Sequence, residues 1–472
     1  MKLMSLLLWA GLAFIGLLVA VRAIRARADR QRRDRSAASG SSVSSAPSPP
    51  LIIGFFHPFC NSGGGGERVL WQYVRILQAA FPQALIQIYT GDAESSEEIL
   101  RKTLSRFGLA VSPTNLSFVR LRTCRLVEAS TWPRFTMIGQ SLGSMILAFE
   151  ALWRAPPHLF IDTTGFAFTY PVASLGFGCV VHAYTHYPTI SNEMLEVVWN
   201  RRAAHNNDVG VAGGSRMALL LARVKWIYYK CFALSYSLVG SQASLVFCNS
   251  TWTRNHMDSC WARKAGSGLL SSWGLPAGAI QTVYPPCDTL SLQQIPTGRV
   301  RTWAETLAEG AAPVNVSASD DRAAKAILSL SAGAAPEPYR ENLIVSLAQF
   351  RPEKDHSLQL RAFALFLKQL RELAAQSGAN CPKVSLVLVG GVRDDGDAAR
   401  VEALHMLAAD LHISDAVSIR VNQPLSVVHE LLSKALVGMH TMWNEHFGIG
   451  VVEFMAAGSV QPQRKQGSES VQ

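Results

Sequence analysis

A chain of 472 residues, 49% of them hydrophobic and 35 of them glycine, has material for two or three packed domains and is too apolar to be a disordered polymer. Its net charge of +10 does not make it a nucleic-acid binder. Seven arginines and two aspartates between Arg22 and Arg35, together with Lys2, hold six of those ten charges, and the remaining body is nearly balanced. Eight scattered cysteines without a C-x-x-C pair point to reduced thiols in a cytosolic compartment.

Leu3 to Val21 is free of charge, and as a helix it spans about 28 Å, close to the ~30 Å of a hydrocarbon core. A cleaved signal peptide is the alternative. Its apolar region runs roughly 7 to 15 residues and ends in a small-x-small site, whereas here arginines follow at once. The expectation is a transmembrane anchor over 1–22, with the N-terminus lumenal and the basic side cytosolic. A basic flank and a Ser/Pro/Ala tether follow over 23–50. In the cytosol the sequons at Asn115, Asn249 and Asn315 are chance matches.

The first domain is expected over 51–283. Leu51 to Phe56 reads as a buried strand, His57 to Arg68 as its glycine-rich loop, and Val69, Tyr73, Ile76, Leu77 and Ala80 as helix. Backbone amides at Gly63, Gly64, Gly65 and Gly66 can approach a phosphate or sugar closely. The run has neither G-x-G-x-x-G spacing nor a following G-K-[ST], so it supports neither NAD nor a P-loop. Strands are read at 84–89, 116–120, 158–162, 179–184 and 245–248 with helices between them, the signature of a parallel doubly wound sheet. His186 lies just past one strand end, where such sheets bind ligands; a structural histidine is the equal alternative. Residues 215–240 are apolar and aromatic, with Arg216, Arg223 and Lys230 seven apart. This predicts a membrane-associated helix rather than a buried one with snorkelling cations.

Thr282 to Asp288, with two prolines, reads as the interdomain crossing, and 298–338 as a surface insertion. The second domain, 284–458, restarts with a strand at 342–348. Arg351 and Lys354 then precede a helix whose apolar face is read as Leu358, Ala362, Phe366 and Leu370. Two cations between a strand end and a helix start can hold a diphosphate. Strands are read at 384–389 and 417–421, and Asp395 and Asp397, just past the first of these, belong to a solvated run and are not read as a metal site. After the strand 435–439, Glu445 is placed in the loop at a helix mouth and Glu453 one or two turns inside. The amides of Phe447, Gly448 and Ile449 would face an anion there.

The glycine loop Gly63 to Gly66, Arg351-Pro-Glu-Lys354 and the pair Glu445 and Glu453 together resemble the retaining glycosyltransferases of the glycogen-synthase-like family (family four). Within it, the stretches 55–68, 184–191 and 444–450 resemble the α-1,2-mannosyltransferases of dolichol-linked oligosaccharide assembly in the endoplasmic reticulum. The resemblance implies the α/β fold called GT-B, two doubly wound Rossmann-like domains facing a cleft. It implies transfer of mannose from GDP-mannose to a dolichol-diphosphate oligosaccharide, twice in sequence, with retention and with no metal or other cofactor. By the same resemblance Arg351 and Lys354 hold the diphosphate and Glu453 the ribose. Glu445, with His186 as a second catalytic candidate, sits by the transferred mannose, and the glycine loop lines the cleft. The implied partners are the membrane of the endoplasmic reticulum and other mannosyltransferases of the pathway, and no nucleic acid. Residues 459–472 are polar and unpatterned, so the second domain is expected to be incomplete, with an unstructured tail. Two alternatives stand beside this function: an impaired form that only binds partners or is degraded, and a related transferase using another nucleotide sugar.

Overall fold

The computed structural model describes residues 2–39, 49–200, 216–262, 274–295, 298, 339–378, 380–442 and 445–460. The chain divides into two compact units, 1–285 and 286–472, meeting in the expected Tyr-Pro-Pro crossing. The insertion expected over 298–338 and the sequon at Asn315 lie outside the described residues, Gly298 excepted.

The first unit is built on a seven-stranded parallel sheet ordered β3-β2-β1-β4-β5-β6-β7. These strands are β1 (Ile52–Phe56), β2 (Leu85–Thr90), β3 (Leu116–Arg120), β4 (Leu159–Asp162), β5 (Val180–Thr185), β6 (Leu245–Cys248) and β7 (Ile280–Thr282). Every residue of β1 is buried, as a central parallel strand covered by helices on both faces requires. Its IIGFF sequence accordingly runs apolar without alternation. Only β7 was not anticipated: it has three residues, too few for a pattern. Helices α2 (Gly65–Ala80), α3 (Ser96–Phe107), α4 (Thr136–Arg154), α5 (Asn192–Trp199), α6 (Arg216–Gly240) and α7 (Thr251–Trp261) complete this unit. Ser95, Ser191 and Ser250 cap α3, α5 and α7 through their hydroxyls. The Asn249 side chain, a sequon position, is instead buried and accepts from Thr253 Oγ1 at 2.7 Å.

The first helix, α1 (Lys2–Ser39), departs from expectation. Residues 22–39 are not a free basic flank but continuous helix, and they dock on the first unit through the face bearing Ala28, Arg32 and Ser36, all buried. Arg32 donates from Nε to Pro157 O at 2.9 Å and from Nη2 to Phe177 O at 2.7 Å. Arg25 reaches the carbonyls of Ser174 and Leu175, and the Arg27 guanidinium lies 3.7 Å from the centre of the Trp153 ring. Three arginines of the flank, Arg25, Arg27 and Arg32, are thus taken up as donors to carbonyls. Among the described residues no helix is long and apolar enough to cross a membrane, so the span expected at Leu3 to Val21 finds no support there. The side chains of residues 2–14 lie outside those described.

The second unit has a four-stranded parallel sheet ordered β10-β9-β8-β11: β8 (Glu341–Leu347), β9 (Ser385–Gly390), β10 (Val417–Val421) and β11 (Ala435–Gly438). Its helices are α8 (His356–Ser377), α9 (Asp395–Asp410), α10 (Leu425–Lys434) and α11 (Ile449–Ala456). Two expectations fail here. On α8 the buried residues are His356, Gln359, Leu360, Phe363 and Leu367, whereas Ala362 and Phe366 are exposed. Both sets recur at helical spacing, and contact with the sheet rather than periodicity selects one. The run 393–397 is exposed as expected except at its last residue. Asp397 is fully buried, with Arg393 Nε at 2.8 Å and Arg400 Nη2 at 3.1 Å, while Asp394 caps α9. Its carboxylate is spent on two guanidiniums.

Beyond Gly458 the described residues form no strand, and Val460 makes a single parallel bridge to Val437. Gly438 N donates to Val460 O at 2.9 Å, and Val460 N to Leu436 O at 3.0 Å. Buried Arg340 ties this segment down by donating to the carbonyls of Ala435 and Ala457. Residues 461–472 lie outside the described part.

Candidate active site

Each sheet reverses its strand order once, between β1 and β4 in the first unit and between β8 and β11 in the second. Ligands bind at such switch points, beyond the carboxyl ends of the strands. The candidate residues fall into two groups, one at each reversal.

In the first unit, β1 ends at Phe56 and passes into His57, and Gly63 adopts φ 76° before α2 begins at Gly65. Only glycine takes that left-handed angle without strain. A side chain there would also press on the Arg106 guanidinium, which donates to Asn61 O at 2.8 Å. The loop is braced from within. Gly64 N donates to Glu67 Oε2 at 2.7 Å, and Glu67 Oε1 faces His57 Nε2 at 3.8 Å. His57 Nδ1 lies 2.7 Å from Thr163 Oγ1 beyond β4. Asp162, at the end of that strand, accepts from Thr164 N, Gly165 N and Tyr170 OH and so shapes the turn. Burial of Glu67 works to raise its pKa, but the facing His57 and the backbone amides outweigh it and hold the carboxyl below the usual range. His57, Glu67 and Asp162 were missed by motif reading. Their signal, polar residues flanking a glycine run and ending a strand, has no fixed spacing.

His186 follows β5, and its Nε2 lies 3.6 Å from where a Gly66 side chain would begin. The structure therefore brings His186 to the glycine loop.

In the second unit, β8 and β11 are adjacent and parallel, so the loops leaving their carboxyl ends run side by side. The first carries Arg351 and a short 3-10 turn, Pro352–Lys354; Asp355 then takes φ 50° and caps α8. The second carries His440 to Gly448, with φ 75° at Gly448 just before α11. Thr441 binds the two together, donating to Lys354 O at 2.7 Å and accepting from Gln359 Nε2 at 2.8 Å. Gly450 and Gly438 let α11 sit close. A Cβ at Gly450 would lie 3.1 Å from Leu347 O, and one at Gly438 would run into the Phe454 ring.

Glu445 is in the loop, and Glu453 on the second turn of α11, the arrangement expected from sequence. Arg351 is half-buried, as is Glu453, and Phe447, Gly448 and Ile449 lead into the first turn of α11. What the sequence did not reveal is that Glu445 is already paired: its Oε2 lies 2.9 Å from Lys354 Nζ and 3.2 Å from His440 Nε2. Burial would raise the Glu445 pKa, but His440 and Lys354 overcome this and hold it at about 2. His356, behind them, is pushed down to about 4 by burial, with the Lys354 and His440 charges adding. At neutral pH Glu445 is an ionised carboxylate and His356 a neutral buried imidazole, with Lys354 and His440 both against the carboxylate. Such a set can bind an anion through Lys354 and place negative charge beside a cationic centre. Among the described residues no cluster of three or more His, Cys, Asp or Glu could hold a metal ion.

Comparison with known proteins assigns these two halves separately. Residues 50–261 match the family model described as ALG11 mannosyltransferase N-terminus, and residues 333–460 match Glycosyl transferases group 1. A Dictyostelium discoideum protein named GDP-Man:Man(3)GlcNAc(2)-PP-Dol alpha-1,2-mannosyltransferase is 41% identical over 86% of this chain and 70% of its own length. The human protein of that name is 40% identical over 87% of this chain and 71% of its own length. Among solved structures, the N-terminal domain of Candida albicans trehalose-6-phosphate phosphatase aligns with a TM-score of 0.51 at 13% identity, covering 87% of this chain and 82% of that one. The last is a likeness of fold alone, in keeping with a GT-B-like pair of parallel α/β units. By sequence, the chain belongs to the family of GDP-Man:Man(3)GlcNAc(2)-PP-Dol alpha-1,2-mannosyltransferases.

Proposed function

We propose that this chain transfers mannose from GDP-mannose to a dolichol-diphosphate oligosaccharide, forming α-1,2 linkages with retention of configuration. The observation that carries the reading is the Lys354–Glu445–His440 group at the β8/β11 switch point, in a chain of this family. In this reading Arg351 and Lys354 hold the diphosphate and stabilise departing GDP. Glu453 binds the ribose hydroxyls. Glu445 stands by the transferred sugar, where its charge favours cationic character at the anomeric carbon. The amides of Phe447, Gly448 and Ile449 face the phosphates. In the first unit the glycine loop and His186 serve the acceptor side. Arg351 and Lys354 supply the counter-charge that a divalent cation would otherwise bring, so transfer should persist in EDTA.

We place the reaction at the cytosolic face of the endoplasmic reticulum, with a bilayer contact made by the first unit. Two exposed apolar stripes support this. On α4, Ile138, Leu142, Ile146, Phe149 and Trp153 recur at helical spacing and point outward. On α6 the buried face is Ala218, Ala222, Tyr229, Phe232 and Tyr236, while Leu220, Val224, Ile227 and Leu234 are exposed. The Phe135 and Tyr228 rings, 5.9 Å apart, join the two helices. Arg223 and Lys230, exposed beside the α6 stripe, suit anionic headgroups.

The test is transfer of labelled mannose from GDP-mannose to a lipid-linked Man(3)GlcNAc(2) acceptor by membranes carrying the chain, with the product opened by an α-1,2-mannosidase. Glu445→Ala should abolish transfer without weakening GDP binding, and Glu453→Ala should weaken GDP. Equal loss of GDP affinity in both would sink this division of roles. Transfer from another nucleotide sugar in preference to GDP-mannose would refute the donor assignment.

A further inference from the structure

Glu445 offers one oxygen to two partners, Lys354 Nζ at 2.9 Å and His440 Nε2 at 3.2 Å. Lys354, the cation assigned to the diphosphate, thus starts out bound to a carboxylate of the protein. The imidazole contact is close but lacks the alignment of a hydrogen bond, and His440 Nε2 has no aligned partner among the described residues. Thr441 fixes the main chain on both sides, through Lys354 O and Gln359. Lys354 can therefore leave Glu445 by rotating its own side chain, while the carboxylate remains beside His440.

We infer that the donor diphosphate draws Lys354 away from Glu445, and that His440 then becomes the partner that keeps Glu445 in place. His440 is on this account a positioning residue, and the inference rests on the nucleotide-sugar reading above. A diphosphate has more charge and more acceptor oxygens than a carboxylate, so it wins the ammonium. An ionised, partly buried Glu445 left without a partner would be costly, and a small turn of the His440 ring aligns its Nε2–H. Among the described residues, the ion pairs of Glu445 are with Lys354 and His440. His356 is neutral with its pKa near 4, and the Arg351 guanidinium faces Glu353 at 3.9 Å.

The exchange has a consequence that does not depend on turnover: opening the Lys354–Glu445 pair is part of what GDP binding costs. Titration calorimetry of GDP into the full chain, held in detergent, reads it directly. Glu445→Gln removes the competing charge and should bind GDP tighter, by roughly three- to tenfold for a partly buried pair. In a Lys354→Met background the same substitution should give no gain. His440→Ala should bind GDP roughly three- to tenfold more weakly, and His440→Gln, which keeps an N–H donor, should recover most of that. The His440→Ala loss should vanish when Glu445→Gln is added, because no charge remains to be received; a merely structural histidine would not be rescued in this way. The inference is overturned if Glu445→Gln binds GDP no tighter than wild type, if its gain survives without Lys354, or if the His440→Ala loss persists beside Glu445→Gln. Wild-type protein that melts cooperatively yet takes no GDP would refute the nucleotide reading itself, and this inference with it.

Discussion

Replacing Arg32 by methionine tests whether α1 is a rigid part of the first unit or a tether. The Arg32 guanidinium is buried and donates to two carbonyls, Pro157 O at 2.9 Å and Phe177 O at 2.7 Å. Charge-assisted bonds contribute about 1.5 to 3 kcal/mol each, so together about 3 to 6 kcal/mol leave the docked state. Rehydration of the freed carbonyls returns part of this when the helix lifts. With about half realised, the ratio of docked to undocked helix falls roughly ten- to a hundredfold. Arg25 and Arg27 keep their own contacts, so the unit itself should stay folded. The assay is limited trypsin digestion, because arginines between Arg22 and Arg35 become cleavable when the helix undocks. When cleavage is slow relative to reclosing, its rate follows the open population. Arg32→Met should be cut roughly ten- to a hundredfold faster in that segment, and substitution of exposed Arg30 should change little. Cleavage of Arg32→Met within a few-fold of wild type would show that docking does not depend on this guanidinium.

Three further outcomes are expected. Asp397→Ala strands two guanidiniums at the start of α9 and should cost the second unit about 3 kcal/mol, at the low end for a broken buried pair because both arginines reach solvent; denaturant melts measure it, and a cost below about 1 kcal/mol would contradict the network. His356, with a folded pKa of about 4 against 6.5 for the free side chain, cannot take the proton that the unfolded chain accepts. Stability present above about pH 6.5 should therefore fall by about 2 to 3 kcal/mol as the pH drops to 4, then level off. His356→Gln should flatten that part of the pH curve, and an unchanged slope would refute the assignment. For the bilayer contact, Leu220→Gln, Val224→Gln and Ile227→Gln combined should reduce co-sedimentation with anionic vesicles at least tenfold, given about 1.5 kcal/mol or more per fully buried side chain. Unchanged co-sedimentation would remove α6 from the contact.

Much of the fold was legible because parallel strands buried on both faces announce themselves as short apolar runs. Ten of the eleven strands among the described residues were read within about two residues of their ends, and β7 was lost for want of length. The roles of charges were less legible. Arg32 and Asp397 look solvated in sequence, since each stands in a charged run, yet both are buried because a neighbouring element presents carbonyls or guanidiniums to them. Glu445 and Lys354 were each picked out, but their ion pair joins residues 91 positions apart. No local pattern encodes that.

The sequence by itself determined the alternation of strand and helix, the loops after β1, β8 and β11, and the residue types in them. Backbone sterics and hydrophobic period act over a few residues and can be read there. Only the tertiary structure decided that β11 inserts beside β8 and so sets His440 and Glu445 against Lys354. It alone also decided which face of α8 is buried and that the arginines of α1 are structural. Each of these depends on what a distant segment places opposite, and burial converts that encounter into a fixed pair or a fixed face because an unpartnered polar group is costly there.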